Sequence, residues 1–254
     1  MTIPQVLFAF FSVSTVAGAQ EKEEAKPPGL FRQIGIDFKN VFTTKENVVT
    51  VGVGAGGAWG ASFFDDDITQ STFGADNEGG ADEVFDAGRV LGGAAVQVGG
   101  AIATYGLGKL FHHKGAEMLG RDLVRAQVVA QSFTFALKVT TQRERPDGSN
   151  NYSFPSGHAS GSFATATVLQ RRYGWKVGVP AYAVAGYAAT SRLTEGKHHL
   201  SDVVFGAALG IMAGRTVTLE LARARLAVSP TFPRDGVGIQ FTWLGSSDDS
   251  LRSR

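Results

Sequence analysis

From about residue 31 the chain is a series of apolar blocks separated by short polar segments. The apolar positions within the blocks follow the helical period, in which one face is buried and the other is polar. The pattern predicts an all-α fold, a helical bundle of about six core helices. The blocks lie at residues 47–64, 84–111, 121–145, 156–173, 180–192 and 202–226.

The period changes after Leu226. Beyond a turn signal at residues 233–236, apolar and polar positions alternate, as they do in a strand with one buried face. The alternating apolar residues are Val237, Ile239, Phe241 and Trp243. This pattern is typical of a short C-terminal β-hairpin, so we divide the chain into a helical domain at residues 30–226 and a tail at residues 227–254.

The N-terminal segment has the pattern of a targeting sequence. An apolar stretch at residues 3–16 is followed by Ala17-Gly18-Ala19, a small-x-small cleavage pattern. The stretch is shorter than the roughly 20 residues that a membrane span needs. We therefore predict a secretory signal peptide at residues 1–19, with an N-terminal anchor helix as the alternative, and a charged linker at residues 20–29.

Composition narrows the classes of function. The net charge of +1 gives no overall field that would attract nucleic acid. The absence of cysteine excludes disulfides, thiol nucleophiles and cysteine metal sites. The mean hydropathy is +0.00, and the apolar runs at residues 177–190 and 203–214 are short for a membrane span. We interpret the chain as a soluble bundle, with a membrane-embedded bundle as the alternative.

Two local patterns have both a structural and a functional interpretation. Gly206, Gly210 and Gly214 are spaced four apart, as in close helix packing within a bundle or in membrane helix dimers. The run Asp65-Asp66-Asp67 is typical of a helix cap or a face turned to water, and a calcium site is the alternative. We favour the structural interpretation of both.

Lys138 and Arg145 are the first candidates for binding an anion. They are seven positions apart, which places them two turns apart on one helical face, and Pro146 is predicted to end that helix. They continue a polar stripe made by Gln131, Thr134 and Gln142. Two cations that point the same way suit an anion, although for two basic residues alone a solvated face is usually the better explanation.

The segment Phe-Pro-Ser-Gly-His at residues 154–158 is typical of a helix start. Backbone N–H groups around Ser156, Gly157 and His158 would lack acceptors there and, with the helix dipole, would form an anion site. His158 lies at the edge of this site. A capped helix with an incidental histidine is the alternative.

The segment at residues 191–202 holds two adjacent histidines between Arg192 and Asp202. His198 is four residues before Asp202, and His199 is three before it. A carboxylate that accepts the N–H of one ring nitrogen fixes the tautomer and makes the other nitrogen a better nucleophile. The spacing by itself does not choose between the two histidines.

Taken together, these three segments resemble the signature of the type-2 phosphatidic acid phosphatase superfamily. That group includes bacterial class A acid phosphatases, membrane lipid phosphatases and vanadium-dependent haloperoxidases. Its pattern has five residues between the arginine and the histidine, and three between the histidine and the aspartate. The match therefore selects His198 rather than His199.

The resemblance implies roles for these residues. His198 is expected to attack phosphorus and form a phosphohistidine, while Asp202 orients its ring. His158 is expected to protonate the leaving alcohol and then to activate water. The residues expected to bind the phosphate are Lys138, Arg145, Ser156, Gly157 and Arg192. Neither a metal nor another cofactor is expected.

The function implied is a metal-independent phosphatase that hydrolyses phosphate monoesters in the periplasm or cell envelope of a bacterium. Its substrate partner is expected to be a phosphorylated small molecule, a lipid phosphate or a polyprenyl diphosphate, and membrane contact is compatible with this function. A haloperoxidase that holds vanadate in the same site is the alternative enzyme. A non-enzymatic envelope protein is the third hypothesis, and the complete set of motif residues argues against it.

We predict that His198→Ala abolishes hydrolysis of an aryl phosphate, whereas His199→Ala leaves most of it, because only His198 has the spacing of the nucleophile. Steady-state turnover of both variants tests the assignment. An equal loss at the two positions would contradict it.

Overall fold

A computed structural model describes residues 28–72, 81–219, 226–231 and 238–243. The predicted signal peptide and residues 20–27 of the predicted linker lie outside the described residues. So do residues 220–225 of the last predicted helical block, residues 232–237, which hold the predicted turn and Val237, and residues 244–254 of the predicted tail.

The described part of the chain forms nine helices, which confirms the predicted all-α fold and exceeds the six expected. The block at residues 84–111 is two helices that meet at a 49° bend near Gly93. The helices are α1 (Leu30–Thr43), α2 (Lys45–Ser62), α3 (Asp65–Thr72), α4 (Ala81–Gly92), α5 (Ala94–Leu110), α6 (Lys114–Thr141), α7 (Gly157–Tyr173), α8 (Trp175–Thr194) and α9 (Leu200–Val217).

Two short strands follow the helices. β1 (Leu226–Thr231) and β2 (Gly238–Trp243) pair antiparallel, with Leu226 opposite Trp243 and Thr231 opposite Gly238. The pairing corresponds to the hairpin that the alternating pattern predicts.

Helix α7 lies at the centre of the bundle, in contact with α6, α8 and α9. Small side chains make up much of the interface, which lets the helix axes approach closely. The buried core residues on α6, α7 and α9 include Ala126, Val129, Ala130, Ala164, Val168, Leu209, Met212 and Ala213. The N-terminus of α7 and the first turn of α9 are thereby held side by side.

The glycine stripe of α9 packs against α7 within the same chain. A Cβ atom added at Gly210 would lie 2.3 Å from the carbonyl oxygen of Ser160, and one at Gly214 would lie 2.5 Å from Cβ of Thr167. Neither distance is sterically allowed, so these positions need glycine. The interpretation of the stripe as close packing within the bundle is confirmed.

The polar residues that interrupt α6 point into the bundle. Arg125 donates two hydrogen bonds to Asp37 of α1, of 2.6 and 2.7 Å, and a third of 2.9 Å to Asp122. Asp122 also accepts from Arg172 of α7. Gln127 donates a hydrogen bond of 2.9 Å to the carbonyl oxygen of Gly161. Each of these side chains hydrogen-bonds to a partner inside the bundle, so their polarity is no argument that the outer surface of the bundle is polar.

The outer surface carries many large apolar side chains. Among the described residues, α9 is long and apolar enough to cross a membrane, and the bent pair α4–α5 passes the same test as a unit. Most of α9 is buried inside the bundle, as it would be in a soluble protein. The most exposed large apolar residues include Phe31, Phe42, Val53, Trp59, Phe63, Leu110, Phe111 and Phe135.

We predict that Gly210→Ala lowers the free energy of unfolding by about 1–3 kcal/mol, because the new methyl group overpacks the α7–α9 interface. The matched control is Gly186→Ala on α8, where a Cβ atom meets nothing within 4 Å. That substitution should raise stability by roughly 0.5–1 kcal/mol through helix propensity. Urea unfolding followed by circular dichroism measures both, and equal responses would contradict the close-packing interpretation.

Candidate active site

The three segments singled out in the sequence meet at one end of the bundle. The N–H of Ser156 donates a hydrogen bond of 3.0 Å to the carbonyl oxygen of Asp202, which ties the start of α7 to the first turn of α9. The N–H of Asp147 donates a hydrogen bond of 3.0 Å to the carbonyl oxygen of Gly196, and the Asp147 carboxylate forms an ion pair with Lys197. The α6–α7 loop and the α8–α9 loop are thus fastened to each other.

Helix α6 ends earlier than predicted. It stops at Thr141, and Gln142 takes the left-handed conformation with φ 45°, so Arg145 lies in the loop. The prediction that Lys138 and Arg145 lie two turns apart on one helix, ended by Pro146, is therefore wrong. The positive charge of Arg145 nevertheless acts on Lys138: burial and Arg145 together lower the pKa of Lys138 to about 8.

Some residues of the predicted polar stripe pack against α7, and others lie at the candidate site. Gln131 donates a hydrogen bond of 3.4 Å to the carbonyl oxygen of Gly157, and Thr134 donates one of 2.9 Å to Oγ of Ser160. Both therefore position α7. The Lys138 ammonium donates to the carbonyls of Tyr152 and Ser153 in the α6–α7 loop.

Helix α7 begins at Gly157, as the sequence predicts. Ser156 is its N-cap, and its Oγ accepts the N–H of Ala159 at 3.4 Å. Gly157 and His158 are the first two helical residues, so their N–H groups have no intrahelical acceptor. The N–H of Ser156 is used by the carbonyl of Asp202, which leaves two rather than three of the predicted donors.

His198 lies just before α9, because the helix begins at Leu200 with His199 as its N-cap. Its Nδ1 is 3.8 Å from Oδ2 of Asp202, longer than a hydrogen bond, so the predicted pair is an electrostatic contact in this geometry. Oδ2 instead accepts the hydroxyl of Ser153 and the N–H of His199, the latter at 2.8 Å.

Both candidate catalytic histidines are neutral near pH 7. Burial lowers the pKa of His198 to about 4, helped by the charges of Lys138 and Arg145 and opposed by Asp202. Burial also lowers the pKa of His158 to about 4, together with the charge of Arg192. Nε2 of His158 lies 3.2 Å from the carbonyl oxygen of Arg89, so the C-terminal turns of α4 cover this ring.

Two arginines at the site carry buried nitrogens without partners. Arg192 pairs with Glu195 at 2.8 Å through Nη1, but its Nε is buried and has no acceptor in the described chain. Nε of Arg145 is also buried and also has no acceptor in the described chain. Unpaired buried donors on guanidinium groups are rare and suit an anion with several oxygens, such as phosphate.

Three residues of the site were missed by sequence reasoning. Ser153 is fully buried and its hydroxyl donates to Oδ2 of Asp202. Arg143 donates a hydrogen bond of 2.7 Å to Oδ1 of the same carboxylate. Asp65, predicted to cap a helix or face water, is only 3% exposed and pairs with Arg143, so the water-facing interpretation is wrong for this residue. The available signal was Arg143 itself, a third cation in the segment that holds Lys138 and Arg145. The described residues include no group of three or more His, Asp or Glu side chains that could hold a metal ion.

Comparison with known proteins agrees with the arrangement of these segments. Residues 121–225 match the PAP2 superfamily, and that range contains each residue proposed from the sequence for the site. Over 102 residues the chain is 37% identical to the lipid A 1-phosphatase of Porphyromonas gingivalis, which is 39% of this chain and 22% of that protein. The chain thus spans about a fifth of that relative.

Two longer matches extend the comparison. The lipid A 4'-phosphatase of Helicobacter pylori is 28% identical over 140 residues, covering 48% of this chain and 71% of that protein. The crystal structure of a transmembrane PAP2-type phosphatidylglycerolphosphate phosphatase from Bacillus subtilis superposes with a TM-score of 0.51 at 19% identity. It covers 75% of this chain and 93% of the other, and shows that the two share a fold.

We predict that stability falls as the pH drops from about 6.5 to 4, because unfolded histidines bind protons from about pH 6.5. In the folded chain His158 and His198 stay neutral until about pH 4. The unfolded state therefore binds more protons in this window, and unfolding becomes easier as pH falls. The melting temperature of His158→Asn should drop less than that of the wild type between pH 8 and pH 4.5. Identical drops would contradict the buried, neutral state of His158.

Proposed function

We propose that this chain is a phosphatase of the PAP2 superfamily that hydrolyses phosphate monoesters through a phosphohistidine intermediate. The proposal rests on two buried guanidinium nitrogens, on Arg145 and Arg192, that have no acceptor among the described residues and lie near two neutral histidines. With Lys138 they form a cationic pocket of the kind that stabilises the oxygens of a transferring phosphoryl group.

In the first step, Nε2 of His198 forms a bond to phosphorus as the bond from phosphorus to the ester oxygen breaks. Nδ1 carries the proton and faces Asp202, so the lone pair on Nε2 is available, and the carboxylate offsets the positive charge that develops on the ring. His158 gives its proton to the leaving oxygen. The negative phosphate raises the pKa of His158 from about 4 and so supplies this acid in the complex.

In the second step, the neutral His158 accepts a proton from water, and the water oxygen bonds to phosphorus as the N–P bond breaks. Phosphate then leaves, and His198 is neutral again. Without phosphate the pKa of His158 returns to about 4, so His158 releases its proton to solvent and takes up another when the next phosphate ester binds. Lys138, Arg145 and Arg192 stabilise the phosphoryl oxygens in both steps, and the N–H groups of Gly157 and His158 add donors. No step in this scheme requires a metal ion.

We propose a lipid phosphate as the substrate class. An apolar groove of about 450 Å³ lies between α5 and α6, lined by residues that include Val98, Ile102, Val128 and Phe135. Gln131 also lines it and hydrogen-bonds the carbonyl of Gly157, so the groove approaches the phosphate-binding end of α7. An acyl or prenyl chain fits such a groove, and the relatives include lipid A phosphatases.

We also propose that the protein is exported and works in contact with the membrane of the bacterial envelope. Exposed aromatic residues such as Phe31, Phe42 and Trp59, which are at least 70% exposed, suit contact with lipid. The polar side chains of α6 point inward, which is compatible with such contact. Contact with lipid would bring a phosphorylated lipid to the site from the bilayer.

We predict that acid-labile, alkali-stable phosphate becomes attached to the protein during turnover of p-nitrophenyl phosphate. Nitrophenolate leaves without a proton, so His158→Ala should still form the phosphohistidine. The variant should then hydrolyse it about 10²–10⁴-fold more slowly, because the base that activates water is missing. Rapid acid-free quenching with radiolabelled substrate measures the accumulation. His198→Ala is the matched control and should show no label.

The same assay separates this proposal from its alternatives. Turnover should persist in EDTA and be blocked by vanadate, whereas inhibition by EDTA that metal ions reverse would contradict the metal-independent scheme. Absence of phosphate release, with bromide oxidation by peroxide after vanadate loading, would favour the haloperoxidase. Phosphatidic acid in mixed micelles should be hydrolysed with a higher kcat/KM than p-nitrophenyl phosphate if the substrate is a lipid.

A further inference from the structure

Asp65, the first residue of α3, reaches the first turn of α9 although 136 residues separate it from Ser201. Its Oδ1 accepts the N–H of Ser201 at 2.9 Å, and its Oδ2 accepts the hydroxyl of Ser201 at 2.6 Å. The N–H of Ser201 is one of the first-turn donors that have no acceptor within α9. Asp65 therefore caps α9 from a different helix.

Arg143 connects this carboxylate to the candidate active site. Nη2 of Arg143 donates a hydrogen bond of 2.9 Å to Oδ2 of Asp65, and Nη1 donates one of 2.7 Å to Oδ1 of Asp202. Nη1 also lies 2.7 Å from Oγ of Ser201. The guanidinium is about one-third exposed, whereas the two carboxylate side chains are 4% and 0% exposed. One planar fork thus joins two buried acids.

The fork fixes the plane of the Asp202 carboxylate. Arg143 holds Oδ1, while Ser153 and the N–H of His199 hold Oδ2. With both oxygens held, Oδ2 is the atom that faces Nδ1 of His198, at 3.8 Å. If the guanidinium turned, Oδ1 would lose its partner and the carboxylate would be free to rotate away from the imidazole.

We propose that Asp65 is a positioning residue for the reaction, acting through Arg143 to hold Asp202 towards His198. This inference rests on the proposed function, in which Asp202 fixes the tautomer of the nucleophile. Asp65 touches neither the phosphate nor the histidine, so its removal should change catalysis rather than binding. Lys138, Arg145 and Arg192 remain in place to hold the phosphate.

The test compares Asp65→Asn with Asp66→Asn, an exposed neighbour on the same helix that makes a matched control. Asp65→Asn should lower kcat by roughly 10–100-fold and change KM by less than about twofold. A loss of this size is typical when a residue that orients a group at the reaction centre is removed. Asp66→Asn should have the kinetics of the wild type. An unchanged kcat, or a raised KM with an unchanged kcat, would overturn the proposal.

A double-mutant cycle separates positioning from general damage to the fold. If Asp65 acts through Asp202, Asp65→Asn should have little further effect in an Asp202→Asn background. A general structural defect would give the same fold loss in both backgrounds, and that result would overturn the proposal. Should Asp65→Asn fail to fold, Arg143→Lys takes its place, because a lysine keeps the charge but cannot bridge two carboxylates.

The tautomer of His198 gives a readout that does not depend on turnover. Nitrogen-15 NMR at pH 7 should show the proton on Nδ1 in the wild type and in Asp66→Asn, and a shift towards Nε2 in Asp65→Asn and Arg143→Lys. If the wild type proves inactive, the proposed function fails, and this comparison still decides whether Asp65 positions Asp202. An unchanged tautomer in both variants would overturn the inference.

Discussion

A carboxylate with no exposure to water has to be matched by donors that the fold supplies, and Asp202 is such a group. Its donors come from the α6–α7 loop, through Ser153 and Arg143, and from the backbone of His199. Its own carbonyl accepts the N–H of Ser156 at the start of α7. Burying this one residue therefore fixes the relative positions of the elements that form the candidate site.

Close packing of α7 against α9 makes that burial feasible. Without side chains at Gly206, Gly210 and Gly214, the α9 backbone comes within van der Waals contact of α7, as the distances from added Cβ atoms show. The two helix N-termini are consequently adjacent, and each contributes a histidine to the same cationic pocket. Stability and candidate chemistry thus share one interface, so a substitution at these glycines would disturb both.

The distribution of polarity in the bundle departs from that of a typical soluble helix bundle. Arg125, Asp122 and Gln127 are buried and paired, while Phe135 on the same helix is 69% exposed. A bundle with hydrogen-bonded polar side chains inside and large apolar side chains outside is suited to contact with lipid. This distribution weakens the interpretation of a soluble bundle, which rested on the mean hydropathy and on the shortness of two apolar runs.

What the sequence determined by itself is local. Helical periodicity predicted the all-α fold, the proline-serine-glycine pattern predicted the start of α7, and alternation predicted the C-terminal strand pair. These features depend on residues a few positions apart, where the period and capping chemistry of the chain suffice. The resemblance of the three motif segments to a known family signature, rather than periodicity, selected the residues of the candidate site, His198 among them.

Only the tertiary structure decided how these parts meet. The left-handed Gln142 ends α6 before Arg145, and no local signal distinguishes that end from one at Pro146. Asp65 is buried and Asp66 is exposed, although they are adjacent and identical in type, because only Asp65 faces Arg143 and Ser201 across the bundle. A pairing over 136 residues leaves no periodic trace in the sequence, so the burial of this carboxylate follows from packing alone.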